Sequence, residues 1–174
     1  MAKLVMDRRA ADNKYLHRDF HVSGDRGLAY VGKHWGDAGV KEYLERFTVS
    51  WYSPLIADIG SKGLEALRDY IQKIYDAEEA SGVLHITFSE NELMVNVDRC
   101  PGISYMHSIG YEPSPWYREL TSTVNRVIAE KSGINFELQS YDEKTGKTAY
   151  RFFINTSAPL REENQKNNKK KGGN

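Results

Sequence analysis

A single cysteine, Cys100, stands among 174 residues. No internal disulfide is possible, which fits a reducing, cytoplasmic setting. Net charge is missing too, because 24 Lys and Arg balance 24 Asp and Glu. The chain therefore lacks the overall field that gathers nucleic acid or an anionic membrane. No run approaches the roughly 20 apolar residues needed to cross a bilayer, and residues 1–13 lack the apolar middle of a secretion signal. A phosphate-cradling glycine loop, a Cys-x-x-Cys pair and a Gly-x-Ser-x-Gly elbow are also absent. These absences fit a cytoplasmic protein with neither nucleic acid nor a membrane as its partner, and leave self-association open.

What is present predicts one domain over residues 12–155, long enough to close a hydrophobic core. Residues 1–11 read as a mobile lead-in and residues 156–174 as a disordered basic tail. From Arg161 on the tail has no apolar residue, and it sets Arg161, Lys166, Lys169, Lys170 and Lys171 against Glu162 and Glu163. A solvated tail explains that composition better than a nucleic-acid-binding arm does.

Helical spacing runs from about residue 12 to Trp35, with Gly24 and Gly27 inside it. These glycines either weaken the helix or admit another backbone. Residues 36–39 read as a turn, with Asp37 capping a second helix. That helix carries the stripe Val40, Tyr43, Leu44, Phe47, Trp51, Leu55, Ile56 and Ile59, kinked at Pro54. A third helix covers about residues 64–79. The period then shifts to two: Leu84, Ile86 and Phe88 pair in a hairpin with Leu93, Val95 and Val97. A short helical piece follows over 103–109, then a fourth helix over 116–131, with Ser114 as its cap and Pro115 in first position. Strands over 134–138 and 150–154 close a second hairpin. The expected fold is α+β: an N-terminal three-helix part packed with an antiparallel sheet of two hairpins joined by a helix (β-β-α-β-β).

Candidate chemistry gathers at a few positions. His17 and His21 lie four apart on one helix face, a spacing that suits a divalent metal, a shared proton or a polar pocket, and equally two ordinary surface histidines beside a buried stripe. No third metal ligand lies nearby in sequence, so no cofactor is expected, although a divalent metal stays open. Cys100 precedes a Pro-Gly step, where helix amides would lower the pKa of a thiol, and His107 follows two turns later. A cysteine with a nearby histidine can act as nucleophile and base, although a buried structural cysteine is the commoner case. Tyr15, Trp51 and Tyr52 are candidates to line a pocket. Glu119 and Asn125, six apart on the fourth helix, cannot both face it. His34 and His85 read as structural or solvated, and Glu78, Glu79, Glu90 and Glu92 as solvated loop carboxylates.

Four short motifs carry a resemblance. Tyr15 to His21 (YLHRDFH), Tyr52 to Ile56 (YSPLI), Arg99-Cys100-Pro101, and Glu119-Leu120-Thr121 with Val124-Asn125 resemble bacterial proteins grouped as L-2-amino-thiazoline-4-carboxylic acid hydrolase-like. The resemblance covers residues 14–153 and implies ring-opening hydrolysis of a C–N bond in a small cyclic compound. In it, His17 or His21 would activate water, Cys100 would be nucleophile or pocket wall, and His107 a proton donor. Relatives often place a second cysteine near Tyr117, which this chain lacks. The layout is also similar, at fold level only, to ligand-binding domains of the vinyl-reductase and haem-nitric-oxide-binding type. Two further readings stand beside the hydrolase: a non-catalytic small-molecule-binding or sensor domain, and a structural, partner-binding subunit.

Overall fold

The computed structural model describes residues 14–155, with side chains from Phe20 onward. The expected lead-in and basic tail lie outside the described residues. Helix α1 (Lys14–Trp51), α2 (Ser53–Lys62) and α3 (Leu64–Ala77) come first, then strands β1 (Leu84–Phe88) and β2 (Glu92–Val97). Helices α4 (Pro101–Ser108) and α5 (Glu119–Ser132) precede β3 (Asn135–Tyr141) and β4 (Thr148–Phe153). The four strands form one antiparallel sheet in the order β1-β2-β4-β3. The fold is therefore α+β, N-terminal helices packed with two hairpins that helices separate.

Alternation decides which sheet face is covered. Leu93, Val95 and Val97 on β2 and Thr148, Tyr150 and Phe152 on β4 are buried, and the residues between them are not. Leu93 pairs with Phe152 and Val95 with Tyr150, so the two middle strands present one apolar face to the helices. On the opposite face Arg151 bonds Glu137 at 2.6 Å and Glu92 at 3.0 Å. Leu28, Val40 and Leu44 of α1, Leu67 and Ile71 of α3, and Val124 and Ile128 of α5 complete the main core. A smaller cluster, Ile103, Met106 and Tyr117 with Val22 and Cys100 against it, sits where α1, α4 and α5 meet. That junction holds the site.

The joints differ from the expected ones, each for a local reason. The break expected at residues 36–39 is present but narrower, because two helices, taken together as α1, meet at one residue. Gly36 alone takes non-helical angles (φ 65°, ψ −166°), and helix resumes directly after it. Only glycine adopts such a conformation without strain. Asp37 caps nothing; its carboxylate accepts the indole N–H of Trp116 at 2.8 Å. Pro54 does not kink a continuous helix, because α1 ends at Trp51 and Pro54 falls in the first turn of α2. A proline costs no hydrogen bond there, since the first-turn amides have no helical partner. Nor does Ser114 cap the next helix. Its hydroxyl donates to Asp25 at 2.7 Å, and residues 115–118 are turns before α5 begins at Glu119. Gly24 and Gly27 have open space where a Cβ would be, whereas Gly32 lies under the Trp116 ring, which a Cβ would strike.

Candidate functional site

Cys100 stands at the end of the first hairpin, extended (φ −73°, ψ 124°), with Pro101 opening α4. A residue before proline is driven into that conformation by clash with the pyrrolidine ring. The turn aims the thiol back at the first helical amides, so the N–H groups of Gly102 and Ile103 donate to it. The amide of Cys100 in turn donates to Thr145 O at 2.8 Å, tying α4 to the β3–β4 turn. In that turn Gly146 (φ 66°) presses on Cys100, and any Cβ would collide with the cysteine's own. Asp142 holds the turn by accepting from the amides of Lys144 and Thr145 and from the Thr145 hydroxyl.

The thiol belongs to a chain of hydrogen bonds. The Tyr117 hydroxyl is hydrogen-bonded to the sulfur, and the same phenol oxygen lies 3.1 Å from His21 Nδ1. His21 Nε2 lies 2.9 Å from Glu78 Oε1. The side chain of Glu78 is 5% exposed and that of His21 23%. Carboxylate, imidazole, phenol and thiol thus run in sequence from the residue after α3, through α1 and the turn before α5, to the residue before α4. Gly102 makes the approach possible: a Cβ there would collide with the phenol oxygen and come within 2.6 Å of Nδ1.

Electrostatics favour the neutral resting form. Burial pushes the Cys100 thiol above its ordinary value, outweighing the pull of the Gly102 and Ile103 amides and the Tyr117 hydroxyl. Burial also raises Tyr117 well above a free phenol, with the neighbouring sulfur adding to the shift. Tyr75 and Tyr150 are raised by burial as well. The resting thiol is therefore protonated, and its proton has a path to a base.

Beside the sulfur lies an inner cavity of about 170 Å³. Tyr75, Tyr150 and the aliphatic face of α5 form its walls, with Thr121, Asn125 and Thr148 as polar groups and Tyr52 and Tyr70 also lining it. The structure brings together three of the expected residues, Cys100, Tyr52 and Asn125, at this cavity, and links His21 to Cys100 through Tyr117. Glu119 turns elsewhere, accepting from Ser122 at 2.8 Å and Thr123 at 2.5 Å. Trp51 is 65% exposed, stacks on Phe47 and lines a separate outer cleft. His107 is also not at the cavity; its Nε2 lies 3.4 Å from Glu112 at the surface, because helical rotation past Pro101 carries it outward. The side chains of Tyr15 and His17 lie outside the described residues.

Glu78 corrects the reading of it as a solvated loop carboxylate. The chain turns back just after it, where Glu79 adopts a left-handed conformation (φ 55°), and the Glu78 carboxylate is thereby held against α1. Tyr117 was missed as well, since nothing in its spacing links it to residues 17 and 96 positions away. The one available signal was the Pro-Ser-Pro connector before it, which stops the chain from continuing as helix. Both ring nitrogens of His21 are engaged, and among the described residues no group of three or more His, Cys, Asp or Glu is placed to hold a metal. Among those residues, too, no helix is long and apolar enough to cross a membrane. Compared with known proteins, the chain matches no family model and no curated protein.

Proposed function

We propose that the protein is a cysteine-dependent hydrolase that opens a C–N bond in a small cyclic compound held in the inner cavity. The observation that carries this reading is the Glu78–His21–Tyr117–Cys100 chain. A protonated buried thiol is a poor nucleophile, and a positioned base makes it a good one. The thiol proton passes to the Tyr117 oxygen as the phenol's own proton passes to His21 Nδ1. The imidazolium so formed lies between the Glu78 carboxylate and the phenol. The thiolate then accepts from three donors, the Tyr117 hydroxyl and the Gly102 and Ile103 amides. The same contacts thus serve both protonation states, so little has to move. The sulfur then adds to the sp² carbon of the ring C=N unit, and the ring nitrogen takes the proton from His21. The adduct collapses by breaking the bond between that carbon and the ring nitrogen, which leaves as an amine carrying a second proton from the exocyclic nitrogen. The carbon remains on Cys100 as a thioimidate. Water completes the hydrolysis and returns the thiol.

The resemblance to amino-thiazoline-carboxylate hydrolases supports the same class of reaction. It expects a second cysteine near Tyr117; here the group that meets Cys100 is the phenol itself, which replaces two-cysteine chemistry with proton relay. The test is to incubate the protein with amino-thiazolines, with and without carboxylates, at about pH 9, where the neutral ring is available, and to follow ring-opened products by mass spectrometry. A product heavier by one water, lost in Cys100→Ser, is expected. Turnover unchanged by Cys100→Ser would overturn the assignment.

A second reading is favoured by the cavity walls. Apolar surface and tyrosine rings with a few polar groups also describe a binding or sensor domain. Saturable binding of these compounds without turnover would select it.

A further inference from the structure

The inner cavity and the outer cleft differ in charge and meet at one place. The outer cleft, about 460 Å³, is rimmed by Asp58, Lys62, Glu65, Asp69 and Lys73. The inner cavity, among the described residues, has no charged side chain in its wall. The two share only Tyr52 and Tyr70. These rings stand edge to face, centroids 5.9 Å apart and 79° inclined. Tyr52 donates its hydroxyl to Tyr70, and burial lifts both phenols above their ordinary values. Two further surface clefts, beside Pro101 and beside Pro113, share no wall residue with the inner cavity.

We propose that Tyr52 and Tyr70 form the passage between the outer cleft and the inner cavity, and that the cavity selects small, flat, uncharged molecules. The proposal rests on the cavity being the ligand site, and not on any turnover there. An ion passing inward would leave a charged, hydrated rim for walls of tyrosine and aliphatic carbon with no opposite charge to meet it. A neutral amide or heterocycle loses far less and finds Thr121, Asn125 and Thr148 as partners. Edge-to-face rings joined by a hydroxyl bond part by side-chain rotation alone, so the backbone need not open. The carboxylate on the compounds named by the resemblance is thus the feature this cavity selects against.

Because Cys100 is the sole cysteine, its alkylation reports access directly. Native protein is treated with iodoacetamide and with iodoacetate, near-equals in size that differ in charge. Each rate is divided by that of the same reagent on the urea-unfolded chain. Iodoacetamide is expected to lead iodoacetate by more than about tenfold. Tyr70→Ala, or the milder Tyr70→Leu should the first not fold by circular dichroism, is expected to raise the iodoacetamide rate about fivefold or more, by removing the ring between cleft and sulfur. Tyr105→Ala, beside the Pro101 cleft, is expected to leave it within about twofold. Equal normalised rates for the two reagents would overturn the proposal. So would acceleration by Tyr105→Ala in place of the Tyr70 variants, or failure of iodoacetamide to label the native chain. Charge-selective labelling with no ring opening would remove the hydrolase reading and leave this one standing.

Discussion

The hydroxyl of Tyr117 faces two partners, a sulfur and an imidazole nitrogen, and this double contact makes it the residue on which the chemistry turns. Tyr117→Phe keeps the ring packed against Ile103 and Met106 but severs the relay. The rate of Cys100 alkylation by iodoacetamide at neutral pH is expected to fall about tenfold or more, within the range for loss of positioned general-base help. Stability should fall by about 1–3 kcal/mol, the cost of leaving partly buried groups without their hydrogen bond. Gly102→Ala approaches the same point from the other side. Alanine favours helix, so α4 should persist while the new methyl group forces phenol and imidazole apart. Alkylation should then slow as in Tyr117→Phe while the helical circular dichroism signal is unchanged; an unaltered rate would show that the phenol–imidazole contact does no work. At this scale the sequence was only half legible. The thiol before proline and the histidine on the first helix were visible as types. Their partners were not, because Glu78 lies 57 residues from His21 and looks in sequence like any surface carboxylate.

Among the elements, the site depends on how the segment between α4 and α5 is held to α1. Asp25 is fully buried and accepts three hydrogen bonds from that segment: the Tyr111 hydroxyl at 2.8 Å, the Ser114 amide at 2.9 Å and the Ser114 hydroxyl at 2.7 Å. Three residues later in the same segment comes Tyr117. Asp25→Ala would strand three donors at once, and the expected loss is about 3 kcal/mol or more in urea unfolding. It should also loosen Tyr117, so Cys100 alkylation should slow in step with it. A loss under about 1 kcal/mol would show that water takes the place of the carboxylate. Elements were the best-read scale. Periods of two marked the strands and periods near four the helices, because burial of one face imposes them, although Tyr43 and Trp51 of the expected stripe are exposed. The joints were read less well. Gly36 and Pro54 looked like a turn and a kink, yet one is a single-residue break and the other a helix start. Local residue preference constrains a joint to a few conformations, and tertiary packing chooses among them.

The molecule as a whole buries a set of weak acids in neutral form. The Cys100 thiol and the phenols of Tyr75, Tyr117, Tyr141 and Tyr150 are all raised by burial. Between the ordinary and the raised values the native chain binds more protons than the unfolded one, so stability falls as pH rises. The decline should begin near pH 9–10, where an unfolded chain's thiols and phenols start to ionise, and continue as the buried groups are reached. Melting temperature followed from pH 8 to pH 11 is expected to drop steadily over the upper half of that range; a flat profile would contradict the buried neutral cluster. Balanced net charge had given no hint of this, because the formal count treats every tyrosine and the cysteine as neutral whatever surrounds them.

The relay is tested most directly by the pH dependence of Cys100 alkylation by iodoacetamide in the native protein and in His21→Gln. Glutamine can still donate to Glu78 but cannot take a proton. Below about pH 8 the variant should react about tenfold or more slowly, and the two curves should converge at alkaline pH, where hydroxide removes the thiol proton unaided. Curves that coincide over the whole range would mean that the proton of Cys100 never reaches His21.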